Sequence, residues 1–141
     1  RAGSGAVFET LFLRASTMTT TLHFLDFDYS EDDEGTGTFD AMASAAPGQL
    51  QALHAEVTAV LAWAHASFPD ACGPSEDGGL WQYDLQGLQE VATPVALDFD
   101  ATAGRLNATP DAPSPPRFTI TLSLSGHAEF CAALRRAFDV P

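Results

Sequence analysis

Carboxylates are the residues of this chain whose number and spacing point to chemistry. Asp and Glu number 19 against 6 Lys and Arg, which gives a formal net charge of −13. Fifteen acidic residues lie between Arg14 and Arg105, a stretch without any Lys or Arg. Carboxylates can bind divalent cations, serve as paired acid and base catalysts, or attract a basic partner. The spacing of the neighbouring residues has to decide among these three uses.

The densest acidic run, residues 28–34, partly matches the spacing of a calcium-binding loop. Asp28 and Asp32 would occupy the first and fifth positions of that loop. The sixth position should be glycine and is Asp33, and the twelfth should be glutamate and is Phe39. An EF-hand is therefore excluded, and we assign no metal and no cofactor. Weak binding of Ca²⁺ or Mg²⁺ by Asp28 and Asp32 is kept as an alternative hypothesis.

The sequence contains no recognisable catalytic motif. It has no Lys, and it lacks the motifs of serine hydrolases, zinc proteases and phosphate-binding loops. His127 and Cys131 have the spacing of a base and a thiol on one helix face, but a cysteine in an apolar stretch is usually inert. We therefore assign no catalytic residue and favour a protein that is not an enzyme. A hydrolase that uses surface carboxylates is the second alternative.

Composition excludes several classes of partner. Nucleic-acid binding needs clustered Lys and Arg, which a chain with a pI near 4.3 does not offer. No run of about 18 apolar residues is present to span a membrane. Cys72 and Cys131 are too few for a disulfide scaffold, so we expect two free thiols and a cytoplasmic protein.

Hydrophobic periodicity predicts an α+β fold with the element order β-β-α-β-β-β-α. Strands with one apolar and one polar face belong to an antiparallel sheet, and two helices with single apolar stripes are expected to pack on one face of it, in two layers. Residues 1–17 are interpreted as an N-terminal extension and 18–141 as a single domain. The predicted strands are 22–29, 38–45, 80–86, 93–100 and 118–124, and the predicted helices follow Pro47 and Gly126.

The same alternation predicts an acidic face on the side of the sheet away from the helices. We expect this face, or the tip of the first hairpin, to bind a basic protein partner, with the chain a monomer or a homodimer. Solubility alone is the competing explanation of the acidity. Leu22, Phe24, Met42 and Leu80 are expected to form an apolar patch on the same face. The candidate partner-binding residues are Asp26, Asp28, Glu31, Asp32, Asp33, Glu34, Asp40, Asp84, Asp98 and Asp100.

Overall fold

The computed structural model describes residues 19–141, so the predicted extension 1–17 lies outside the described residues. Within this range no helix combines the length and apolarity needed to cross a membrane. The helices are α1 (Leu50–Ser67) and α2 (Ala128–Phe138), and one turn of 3₁₀-helix, Pro47–Gln49, leads into α1. The strands are β1 (Asp28–Glu31), β2 (Gly37–Ala45), β3 (Trp81–Glu90), β4 (Val95–Asp100), β5 (Arg105–Pro110) and β6 (Arg117–Gly126).

The strands form two antiparallel sheets, and the α+β class predicted from the sequence is confirmed. The larger sheet has the order β1-β2-β6-β3, and β4 pairs only with β5 in a separate two-stranded sheet. A single sheet was predicted, and no strand was predicted at residues 105–110, which form β5. Alternation identifies a strand but does not reveal its neighbour, so the second sheet is a finding of the structure.

Both helices pack on one face of the larger sheet, as predicted. On β2 the odd-numbered residues from Phe39 to Ala45 are buried, and the even-numbered residues between them are exposed or half-buried. The buried positions pair with Leu122 and Leu124 of β6, and these residues share one core with Leu53 and Val60 of α1. Three alanines on β2 leave room for the helices to approach the sheet closely.

Local sequence signals explain the ends of both helices. The 3₁₀ turn begins at Pro47, where the missing N–H costs no hydrogen bond, and α1 ends before Phe68-Pro69. In α2 the apolar residues Phe130, Leu134 and Phe138 recur every four positions and are buried. Arg135 and Arg136 lie in its last turn, where cations interact favourably with the helix dipole.

The segment before β1 differs from its prediction. The expected strand 22–29 begins only at Asp28, because the carboxylate of Glu56 on α1 takes the backbone N–H groups that a sheet neighbour would bind. Glu56 accepts hydrogen bonds from the N–H groups of His23 at 2.6 Å and of Phe24 and Leu25 at 3.0 Å. The segment therefore runs along the helical layer.

The predicted apolar patch on the outward face does not form. Leu22 and Phe24 are half-buried and pack against the core instead of facing outward. Met42 is exposed on β2, and Leu80 lies in the loop before β3. The error follows from placing the segment before β1 in the sheet.

Beyond the larger sheet, β3 and β6 lead into a projecting hairpin that we call the arm, made of β4 and β5. Every residue of β5, and every residue of β4 except half-buried Asp100, is exposed. Two backbone hydrogen bonds of 2.8 Å close the base of the arm, from the N–H of Asp111 to Pro94 and from that of Ser114 to Ala92. The arm thus continues the β3–β6 pair away from the helices.

Replacing Glu56 by Ala is expected to destabilise the protein by about 1–3 kcal/mol, because Phe24 and Leu25 lose the acceptor of half-buried N–H groups. Glu56→Gln keeps one acceptor oxygen and should lose less. Urea unfolding measures the change, with Gln51→Ala on the exposed side of the same helix as control. Equal stabilities for the Glu56→Ala and Gln51→Ala variants would contradict this account.

Candidate functional site

Three carboxylates line up across the face of the larger sheet that points away from the helices. Strand register pairs Asp28 with Asp40, Asp40 with Ser123, and Ser123 with Asp84. All three Asp side chains are exposed. With strands about 4.8 Å apart, Asp28 and Asp84 lie roughly 14 Å apart along one line. We call Asp28, Asp40 and Asp84 the acidic row.

Neutral polar side chains surround the acidic row. Ser123 donates a hydrogen bond to Asp40, and the amide nitrogen of Gln86 donates one to Asp84 at 2.9 Å. The neighbouring line across the sheet toward the turn consists of Ser30, Thr38, Ser125 and Gln82, and the line on the other side contains Met42, Thr121 and Gln86. Neither these two lines nor the acidic row contains Lys or Arg, so no side chain in them neutralises the row.

The last residue of β1, Glu31, and the turn that follows it carry four more of the predicted acidic residues. Asp32 is used to build the turn, since its carboxylate accepts the N–H groups of Glu34 and Thr36, each at 2.9 Å. Gly35 follows with φ of +85°, a conformation that favours glycine. Glu31 accepts a hydrogen bond from the Tyr29 hydroxyl at 2.9 Å. Asp33 and Glu34 are exposed at the tip, beyond the line that contains Ser30 and Thr38.

Tyr29 fixes this end of the sheet to α2. The centroid of its ring lies 4.7 Å from that of Phe39 on β2. The guanidinium carbon of Arg135 on α2 lies 4.7 Å from the same Tyr29 centroid. Burial, together with the hydrogen bond to Glu31, raises the pKa of Tyr29 from 10.0 to about 12. Gly37 is required beside it, because a Cβ there would lie 2.6 Å from both Tyr29 and the Cys131 sulfur.

The structure does not bring the remaining predicted residues to this face. Asp98 and Asp100 lie on the arm, on its polar side, because β4 pairs with β5 and does not join the larger sheet. The Asp100 carboxylate accepts the N–H groups of Thr102 and Ala103 and so shapes the tip of the arm. Asp26 precedes β1 and is exposed in a surface depression that Phe138, the last residue of α2, also lines. The acidic face is therefore smaller than predicted, and its carboxylates come from the three strands β1, β2 and β3.

Neither alternative chemistry gains support from the geometry. Within residues 19–141 no three Asp, Glu, His or Cys side chains converge as a metal site would require. A hydrolase would need two of the surface carboxylates to act as a pair, but Asp84 and Asp98 belong to different sheets. Cys131 is buried, its thiol donates to the carbonyl of Gly126 at 3.2 Å, and burial raises its pKa. A thiol held protonated in this way is a poor nucleophile.

Comparisons with known proteins supply no functional residues. The chain matches no family model, no curated protein and no solved structure. Its function must therefore be inferred from its own surfaces.

One surface was missed by the sequence analysis, a groove between α1 and the second half of β3. Tyr83 and Leu85 pair with the buried residues Leu124 and Leu122 and so face the helical side of the sheet, yet they are 42% and 43% exposed because the helices do not cover this strand. Only Trp81, at the start of β3, is fully covered, with its ring stacked 5.4 Å from that of Phe130. The alternation along β3 shows which side each residue takes but not how far the helices extend.

Raising the pH is expected to weaken the fold through Tyr29. Above about pH 10 the tyrosine ionises in the unfolded chain while it stays protonated in the folded one, so stability falls as the pH rises from about 10 to about 12. Tyr29→Phe should remove this loss. Tyrosinate absorbance and unfolding curves at each pH measure both effects. An identical pH dependence of stability in both proteins would contradict the assignment.

The two cysteines are expected to differ in reactivity. Both are free, Cys72 exposed and Cys131 buried. One thiol per chain should react with a chromogenic thiol reagent in the native protein, and two after denaturation. Cys72→Ser should abolish the native reaction. Rapid native labelling of this variant would show that Cys131 is accessible.

Proposed function

We propose that this protein is a small non-enzymatic interaction protein whose acidic row and adjoining turn bind a basic protein partner. The observation that carries the proposal is the register that puts Asp28, Asp40 and Asp84 on one line of an open sheet face. Neither helix lies on that face, and its polar side chains are exposed or half-buried. The two free thiols support a cytoplasmic location for it.

The placement of these charges favours recognition over solubility. Asp28 and Asp40 are directly paired across two strands, an arrangement that is destabilising for like charges. A surface selected only for solubility could place its charges apart and avoid this cost. Cationic side chains of a partner would relieve the repulsion upon binding.

The turn extends the same field beyond the edge of the sheet. The carboxylates of Asp33 and Glu34 are exposed and accept no hydrogen bond within the turn, whereas Asp32 is occupied in holding it. A concentrated negative field of this kind accelerates the approach of cationic proteins and rejects acidic ones. The partner class that fits is a protein with a patch of Arg or Lys facing a flat surface.

The double variant Asp40→Asn/Asp84→Asn is expected to weaken binding of the basic partner by roughly tenfold at low salt, because it removes two of the three charges of the acidic row. Wild-type and variant chains are immobilised, incubated with extract of the source cells, and eluted by increasing salt. Retained proteins are identified by mass spectrometry. The partner should elute earlier from the variant.

The matched control is Asp98→Asn/Glu129→Gln, which gives the same net charge from residues off this face. It should retain the partner like the wild type. Equal loss in both double variants would show that only total charge matters. Retention of no basic protein by the wild type, even at low ionic strength, would contradict the proposal.

A further inference from the structure

The arm has an apolar face that nothing in the described part of the chain covers. The β4–β5 register places six apolar residues on one side of the hairpin and the polar residues, including Asp98 and Arg105, on the other. Leu97 and Phe99 are each 64% exposed. The residues of this apolar face are Val95, Leu97, Phe99, Leu106, Ala108 and Pro110.

An exposed hairpin of this composition needs a binding surface. An isolated two-stranded sheet is only marginally stable in water, and contiguous exposed apolar area marks interaction sites. The arm cannot be a flexible loop that merely happens to be apolar, because six successive residue pairs hold it in strand conformation. Its apolar face is thus presented on a defined scaffold.

The body of the same chain carries an apolar groove of about 690 Å³ between α1, β3 and β6. Leu50 and Val57 form one wall, Leu85 the other, and Phe118 and Ile120 contribute from β6. No Asp, Glu, Lys or Arg lines it.

The absence of carboxylates from both surfaces favours contact between copies of this chain. Two molecules of net charge −13 repel one another, so association between them requires surfaces free of carboxylates. The apolar face of the arm and the groove both meet this requirement. A basic partner would find no counter-charge in either place.

The arm cannot readily fill the groove of its own chain. The groove ends at Gln89 and Phe118, the last but one residue pair of β3 and β6 before the arm. Folding back would require a sharp reversal of both segments at the base, and in the structure Leu97, Phe99 and Leu106 of the arm are all exposed. Pro113, Pro115 and Pro116 further stiffen the returning segment.

We propose that two copies of the chain form a symmetric dimer in which the apolar face of each arm docks in the groove of the other copy. The same two surfaces then meet twice around a two-fold axis, so the interface closes and does not propagate. Two arms buried at once also double the contact area, toward the roughly 800 Å² per partner that stable interfaces bury.

Sedimentation equilibrium of the full chain tests the proposal. The wild type should have twice the monomer mass of 14.9 kDa. Phe99→Glu on the arm and Leu85→Glu in the groove should each raise the dimer dissociation constant by roughly a hundredfold or more, because each places a charge in the apolar contact. Both positions are exposed in the single chain, so the introduced carboxylate remains hydrated when the chain is monomeric.

Two matched controls add the same charge to opposite faces of the same strand pairs. Asn107→Glu lies on the polar side of the arm, and Gln82→Glu lies on the face of β3 away from the groove. Both should remain dimeric. Mixing the Phe99→Glu and Leu85→Glu chains should restore part of the dimer, since one intact arm still meets one intact groove.

The remaining outcomes overturn the proposal. A wild-type chain that sediments as a monomer overturns it, because the groove is then filled by another segment of the chain or bound by a different protein. A dimer that survives Phe99→Glu does so too, because the arm is then not its contact. If the dimer is lost with Phe99→Glu but retained with Leu85→Glu, the two arms pack on each other and not in the grooves. If mixing the Phe99→Glu and Leu85→Glu chains restores no dimer, the reciprocal contact between arm and groove is excluded.

Discussion

The in-register pairing of β2, β6 and β3 is the constraint on which the rest of the structure depends. Because side chains alternate along each strand, this register sends Phe39, Leu122 and Leu124 to the helices and Asp40 and Asp84 to the opposite side. A slip of one residue would expose the core and bury the carboxylates. The burial of apolar side chains thus fixes the acidic row, although none of its members contributes to the core.

The sequence was most informative where a pattern reports on one element alone. The stripe of Leu53, Val57, Val60 and Ala64 identified α1, and the alternation of β2 identified both of its faces. The sequence was least informative about which strands lie next to one another in a sheet. The alternation of β4 is the same in a central strand and in an arm, so Asp98 was assigned to a sheet that it does not join. Likewise, the segment before β1 alternates like a strand, but Glu56 binds its N–H groups.

The protein separates its charges from its exposed apolar surface. Carboxylates occupy the outer face, the first turn and the polar side of the arm, while the groove and the apolar side of the arm contain none. This separation supports two different kinds of contact in one chain. If arm exchange forms the dimer, each dimer displays two acidic rows. A partner with two basic patches would then bind with an effective concentration set by the dimer geometry.

The two proposed contacts respond to salt in opposite directions, which makes them separable in physical terms. Binding of a basic partner depends on attraction between exposed charges, and this attraction is screened over a Debye length of about 10 Å at 0.1 M salt. The arm and groove meet through apolar surface, whose contribution does not depend on charge. Salt also screens the repulsion between two chains of net charge −13, so it strengthens self-association while it weakens partner binding. The proposed dimer contact therefore strengthens under the conditions that weaken the proposed partner contact.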